Sequence, residues 1–341
     1  MGETLKLGGQ TIQPGQRKTI DLPVARLHTH TEMTMPVHVV SGRRPGPCLF
    51  VSAAIHGDEI NGVAIVQRLL NLKLFRNLCG VLIAVPVVNV FGFIDRNRYL
   101  PDRRDLNRAF PGSERGSMAA RLAHLFMTEV AVHATHGIDL HTGSNHRSNL
   151  PQIRAWLDDP ETERLAHAFG VPVILNANLR DGSLRHAAVE AGIQMLLFEG
   201  GEALRFNEAV IEAGLRGTLS VMRAIGMLPA ARNQTPGPET LVARESTWVR
   251  APEGGILHTT FGLGDRVRRG QRIGLIADPF GEPEAEVIAH TSGIIIGRLN
   301  MPLVHEGEAL FHLARFDSPA TIDAALDAFV SDLDPDINDE L

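Results

Sequence analysis

Three things are scarce in this chain of 341 residues, and each shortage excludes something. The chain has two cysteines, Cys48 and Cys79. They cannot build a disulfide framework, and each adjoins an apolar run, so they read as buried thiols in a reducing compartment. Lysine is nearly absent: apart from Lys6, Lys18 and Lys73, all of the 33 basic residues are arginine. Arginine is the better bidentate carboxylate binder, although GC-rich coding produces the same bias. Long apolar runs are missing too. No window offers the roughly 18 uncharged apolar residues of a membrane-spanning helix. The opening segment, MGETLKLGGQTIQPGQRK, has no stretch resembling a signal peptide. A soluble, cytoplasmic protein with no membrane partner is predicted. The 39 acidic residues outnumber the basic ones, for a net charge of −6, so no global basic field draws the chain to nucleic acid.

What remains is ordinary globular material, with 44% hydrophobic and 21% charged residues. At roughly 100–200 residues per domain, the length suggests two domains. Residues 18–40 alternate, are rich in Val and Thr, and read as one or two antiparallel strands, with His28 and His30 alternating on one of them. From Cys48 the texture changes. Apolar strands at 48–55, 81–88, 138–141, 171–177 and 193–198, with another near 152–157, alternate with helices near 59–72, 118–130, 160–169, 184–191 and 205–226. Ser117 is a candidate N-cap. Short apolar strands alternating with helices predict an α/β fold, a mostly parallel mixed sheet flanked by helices. Residues 228–240, rich in proline and polar residues, read as a linker. The expected organisation is a catalytic unit over 1–235 that opens with strands within 1–47, a small all-β unit over 241–318, and an acidic tail over 319–341 whose first part is amphipathic and helical.

The chemistry-bearing pattern begins at the end of the first buried strand, Ile55-His56-Gly57-Asp58-Glu59. Three positions apart at the entry to a helix, His56 and Glu59 aim at one point. An imidazole and a carboxylate suit zinc, and ligands in open α/β sheets bind beyond the carboxyl ends of strands. Asp139-Leu140-His141-Thr142-Gly143 repeats the layout. Two histidines and a carboxylate leave a fourth zinc position open, as catalytic sites do. Asp139, on the same strand face as His141, is placed to support it. His133 and His136 form a rival pair with His141, though histidines at a helix end also complement its dipole.

HGDE, then DRNRYLPDRRDLNRAFPG (95–112), then DLHTG, then LLFEGG (196–201) resemble the succinylglutamate desuccinylase/aspartoacylase family, over residues 36–225. That family is similar in its catalytic domain to the zinc carboxypeptidases. The resemblance implies one zinc per chain held by His56, Glu59 and His141, a catalytic Glu199, an Arg98 that polarises the scissile carbonyl, and an Asn107–Arg108 pair that holds a substrate carboxylate. The segment between Arg98 and Asn107 is longer than in aspartoacylase itself, which leaves Arg96, Arg103 and Arg104 as alternatives to Arg98. Arg154, Arg180 and Arg185 are candidates for a second substrate carboxylate. The implied activity is hydrolysis of a small N-acyl amino acid or a related carboxylate-bearing amide. The alternatives are a zinc carboxypeptidase acting on peptides and, in a different class, a non-catalytic metal- or ligand-binding relic of the fold.

Residues 248–314 resemble a biotinyl/lipoyl-carrier β fold, with GLGDRVRRGQRIGLI and HTSGIIIGRLN as the two halves. The hairpin tip where such carriers bear a lysine is ADPFGEPEAE (277–286), and no lysine follows Lys73, so covalent carriage is excluded chemically. A unit that packs on the catalytic part, narrows its mouth or forms a homo-oligomer contact is expected instead.

Overall fold

The computed structural model describes residues 2, 4–230 and 240–316. Most of the 228–240 linker and the whole 319–341 tail lie outside the described residues. A short hairpin, β1 (Leu5–Leu7) and β2 (Gln10–Ile12), precedes two long antiparallel strands, β3 (Arg17–Arg26) and β4 (Glu32–Ser41). His28 and His30 fall in the turn between β3 and β4 and not on a strand. The chain reverses there, with Leu27 N donating to Thr31 O and His30 N donating to Leu27 O, both at 2.9 Å.

The alternating region follows. Its elements are β5 (Arg44–Ala53), α1 (Asn61–Asn71), β6 (Cys79–Val85), α2 (Val90–Asp95), α3 (Met118–Glu129), β7 (His136–Gly143), β8 (Arg147–Ala155), α4 (Pro160–Phe169), β9 (Val173–Asn176), α5 (Leu184–Glu190), β10 (Gln194–Glu202) and α6 (Glu208–Ala224). Side chains alternate along the buried strands as the pleat demands. Leu49, Val51, Leu82 and Ala84 pack with α1, α4 and α6 on one face. Phe50, Ile83 and Val85 pack with α3 and α5 on the other. Ser117 caps α3 by accepting from Ala120 N, and α4 starts at Asp159–Pro160 and stops at Gly170 with φ 79°. These are the cap chemistries that fix helix ends.

The sheet is parallel at its centre, where β7 lies between β5 and β10 and β6 flanks β5. On either side of this centre antiparallel pairs appear, β4 with β6, β3 with β4, and β8 with β10, while a branch from β8 through β9 to β11 is parallel again. The flanks depart from a mostly parallel sheet because the loops from β3 to β4, from β4 to β5 and from β7 to β8 are too short for a crossover, so β4 and β8 run against the central strands.

Beyond the linker every described element is a strand: β11 (Leu241–Ala243), β12 (Glu245–Arg250), β13 (Gly255–His258), β14 (Arg266–Val267), β15 (Arg272–Ala277), β16 (Pro283–Ile288), β17 (Gly293–Leu299), β18 (Leu303–Val304) and β19 (Ala309–Arg315). β13, β15, β16 and β18 form a separate four-stranded sheet. The others join the main sheet, β11 on β9 and β17 on β8, so that sheet reaches 13 strands. Val249, Ile273, Ile295 and Phe311 belong to a core of this region's own. Among the described residues, no helix is long and apolar enough to cross a membrane.

Candidate active site

The parallel central strands β5, β7 and β10 point their carboxyl ends the same way, and the chemistry-bearing residues gather at those ends. After β5 the chain turns sharply. A Cβ on Gly57 would sit 1.9 Å from the carbonyl carbon of Gly92 in α2, so only glycine allows this approach. The turn brings His56 and Glu59 together, and His141 arrives at the end of β7. All three are buried, and one ligand atom from each lies within 4.8 Å of the others.

The orientation of these groups bears on what they can hold. Nδ1 of His56 lies 2.8 Å from Glu59 Oε1, and Nδ1 of His141 lies 2.8 Å from Glu59 Oε2. The opposite ring nitrogens meet carboxylates: His56 Nε2 is 3.1 Å from Asp105 Oδ1, and His141 Nε2 is 2.7 Å from Asp139 Oδ2. Ser52 Oγ donates to the other Asp139 oxygen at 2.8 Å. Each imidazole is thus oriented from behind, as metal-bound histidines are, with Nδ1 facing the shared centre. Burial pushes the Glu59 carboxyl up, but the adjacent His56 and His141 outweigh it and hold Glu59 well below the usual carboxylate range. Burial pulls His141 down, yet Asp139 and Glu59 raise it well above an ordinary histidine. His56 is raised in the same way by Glu59 and Asp105 against its burial. Two imidazoles and a carboxylate, buried and convergent, match the donor set of a catalytic zinc site.

A cavity of about 470 Å³ opens over this cluster. Arg98 lines it and donates to Glu59 Oε1 at 3.3 Å and to Asp105 Oδ2 at 3.1 Å. Arg96 instead ends α2 with φ 53°, Arg103 is exposed, and Arg104 pairs with Asp102 at 3.6 Å. Asn107 and Arg108 lie in a short 3₁₀ turn on the cavity wall, where Asn107 Oδ1 accepts from Leu184 N at 2.9 Å. Glu199 sits on β10 in register with His141 on β7, so the two occupy neighbouring positions on adjacent central strands. It accepts a hydrogen bond from Asn149 Nδ2 and pairs with Arg154 Nε at 3.4 Å. Arg180 and Arg185 also line the cavity, and Arg185 is fixed there by donating to the carbonyls of Ala177 and Asn178 at 2.9 and 2.8 Å. His133 and His136 are not brought to the cluster: His136 opens β7 at the amino end, and His133 precedes it in a 3₁₀ turn.

Three residues escape a reading of the sequence. Asp105 stands two positions before Asn107, and its only signal was that proximity. Asn149, on β8, lies so close to β17 that a Cβ on Gly297 would sit 2.8 Å from its Oδ1. Trp248, on β12, lines the cavity and stacks on His312 with ring centroids 4.6 Å apart. A wall built across so many residues of sequence carries no local motif.

Comparison with known proteins bears on the whole arrangement. The model of the succinylglutamate desuccinylase/aspartoacylase catalytic domain matches residues 45–225. The chain is 28% identical over 295 residues to the N-alpha-acetyl-L-2,4-diaminobutyric acid deacetylase of Halomonas elongata, a match spanning 82% of this chain and 85% of that protein. In fold it is similar to the product-bound ectoine utilization protein EutE (DoeB) from Ruegeria pomeroyi, with a TM-score of 0.80 at 22% identity over 89% of this chain and 95% of that one. A succinylglutamate desuccinylase/aspartoacylase from Rhodobacter sphaeroides gives a TM-score of 0.79 at 25% identity, covering 89% of this chain and 97% of that one.

Proposed function

The chain belongs to the succinylglutamate desuccinylase/aspartoacylase family, and from that premise we propose that it is a zinc-dependent hydrolase that cleaves the amide bond of a small N-acyl amino acid to a carboxylate and an amine. The observation that carries this reading is the convergence of His56, Glu59 and His141 beneath a cavity that also holds Glu199 and several arginines. His56, Glu59 and His141 would hold the metal, with Asp105 and Asp139 fixing the imidazoles from behind. Zinc bound there would supply Lewis acidity and would lower the pKa of water toward neutrality.

The remaining steps fall to the chain's own side chains. Glu199 takes the proton of the attacking water and passes it to the leaving amine. Asn149 and Arg154 hold its two oxygens and so fix its aim. Arg98, anchored on Glu59 and Asp105, offers a fixed cation to the oxygen on which charge develops. Asn107 spends its carbonyl on Leu184 N, which leaves the amide nitrogen to donate to a substrate carboxylate beside the Arg108 guanidinium. The Halomonas relative is named for an acetylated diamino acid, which falls in the same substrate class.

The test is a screen of N-acetyl, N-succinyl and N-formyl amino acids and dipeptides, with zinc content measured, followed by a two-by-two comparison of enzyme and substrate. Arg108→Lys keeps the charge and loses the fork, so KM should rise markedly for the free acid and much less for its amide. An equal penalty on both would remove Arg108 from carboxylate recognition. Turnover confined to dipeptides would replace the deacylase reading with a carboxypeptidase.

A further inference from the structure

At the amino ends of β5 and β6 lies a second cavity, of about 540 Å³. His56 follows the other end of β5, one strand length away, about 30 Å at 3.3 Å per residue. The cavity is lined by Arg17, Arg43, Lys73 and Arg76, and its described lining holds no Asp or Glu. None of the four cations has a carboxylate partner among the described residues. Elsewhere on the surface arginines are commonly paired, Arg68 with Glu208 and Arg164 with Glu161, each at 2.6 Å. In a chain of net charge −6, four unneutralised cations around one concavity run against the average and create a local positive field.

Two further observations point to an occupant. Ser41 lines the cavity, is buried, and its Oγ has no hydrogen-bond partner. Its backbone groups are already used, N donating to Gln16 O and O accepting from Gly15 N, both at 2.9 Å. A buried hydroxyl without a partner is costly, and a ligand oxygen would satisfy it. Arg17 is held with its Cζ 5.5 Å from the centroid of the buried Phe75 ring, which fixes the side chain without consuming its N–H donors. The lining is therefore rich in preset donors and poor in acceptors.

We propose that this cavity is a second ligand site, separate from the catalytic one, that takes a small multiply charged oxyanion, a diphosphate or a polycarboxylate. Guanidinium forks match either group in bidentate fashion. The volume exceeds what a single inorganic phosphate needs and falls within the range of small-molecule sites.

The experiment is equilibrium dialysis of pyrophosphate and, separately, citrate against the full-length zinc-loaded protein, at low and at physiological salt. Saturable binding of one anion per chain is expected, weakening as salt rises, and the tighter probe assigns the chemistry as phosphoryl or carboxylate. The Arg43→Ala/Arg76→Ala double variant, changed at two exposed positions, should lose at least tenfold in affinity and keep its hydrolase activity. Ser41→Ala should lose severalfold. Arg108→Ala, altered in the catalytic cavity, should bind the anion as the wild type does. The proposal fails if neither anion binds saturably at millimolar concentration. It fails equally if affinity survives in the double variant, or if it disappears in Arg108→Ala.

Discussion

The two ends of β5 handle charge in opposite ways. At the carboxyl end His56, Glu59 and His141 are buried, and each faces a group of opposite sign: Glu59 with both histidines, Asp105 with His56, Asp139 with His141, Arg98 with Glu59. At the amino end Arg17, Arg43, Lys73 and Arg76 are exposed and share a cavity with no carboxylate in its described lining. Water is the reason for the difference. A charge removed from solvent must be paired and hydrogen-bonded, whereas an exposed cation is stabilised by hydration alone. The carboxyl end is consequently rigid and mutually determined, and breaking one buried partnership there costs about 3–5 kcal/mol. The amino end is open and has donors to spare.

A third arrangement tests the rule from another side. His312 is buried, its Nδ1 has no hydrogen-bond partner, and it stacks on Trp248. With no counter-charge, burial first and Arg154 second push its pKa down to about 3, so it stays neutral where His56 and His141 are paired. Burial thus has two resolutions in this fold, pairing or neutrality.

Predictions at the carboxyl end have the largest effects. Glu199→Gln preserves size and polarity but cannot accept a proton. Its kcat should fall by roughly 10²–10⁴-fold with zinc retained, read by steady-state kinetics beside metal analysis. A fall below about tenfold would mean that Glu199 moves no proton. Asp139→Asn leaves His141 without its anionic support. Metal affinity should weaken by about 10–100-fold in a chelator competition. Unchanged affinity would break the claim that Asp139 orients the imidazole.

The smallest effect is on stability. Between pH 6.5 and about 3 the unfolded chain protonates His312 and the folded chain does not, so stability falls as pH falls through that window. At pH 5.5 the cost is about 1 kcal/mol relative to neutral pH. His312→Phe keeps a ring against Trp248 and should melt with a shallower dependence on acid. Parallel pH–Tm curves for the two proteins would show that His312 titrates normally and that burial here imposes no neutrality.

Much of the architecture could be read along the chain. Strand-length apolar runs at 48–55 and 81–88 overlap β5 and β6, and the helix expected at 160–169 coincides with α4. These features are local: a period of two or of about 3.6, an N-cap, a glycine stop. The six-residue α2 escaped because it is too short to show a helical period and carries Gly92 within it. His28 and His30 looked like a strand pair because alternation does not reveal where two strands turn back on each other.

By itself the sequence determined most of the local elements, the identity of the chemistry-bearing residues near strand ends, and the impossibility of lysine-linked carriage beyond Lys73. Tertiary structure alone decided that Asp105 backs His56, that Asn149 and Arg154 grip Glu199, and that Trp248 crosses from the C-terminal strands to wall the cavity. It alone decided that β17 would continue the main sheet through β8, and that four scattered cations would meet around Ser41. The division follows from range. Periodicity and capping are short-range consequences of backbone geometry, whereas the partner of a buried charge is whichever group the packed sheet and its loops carry into reach.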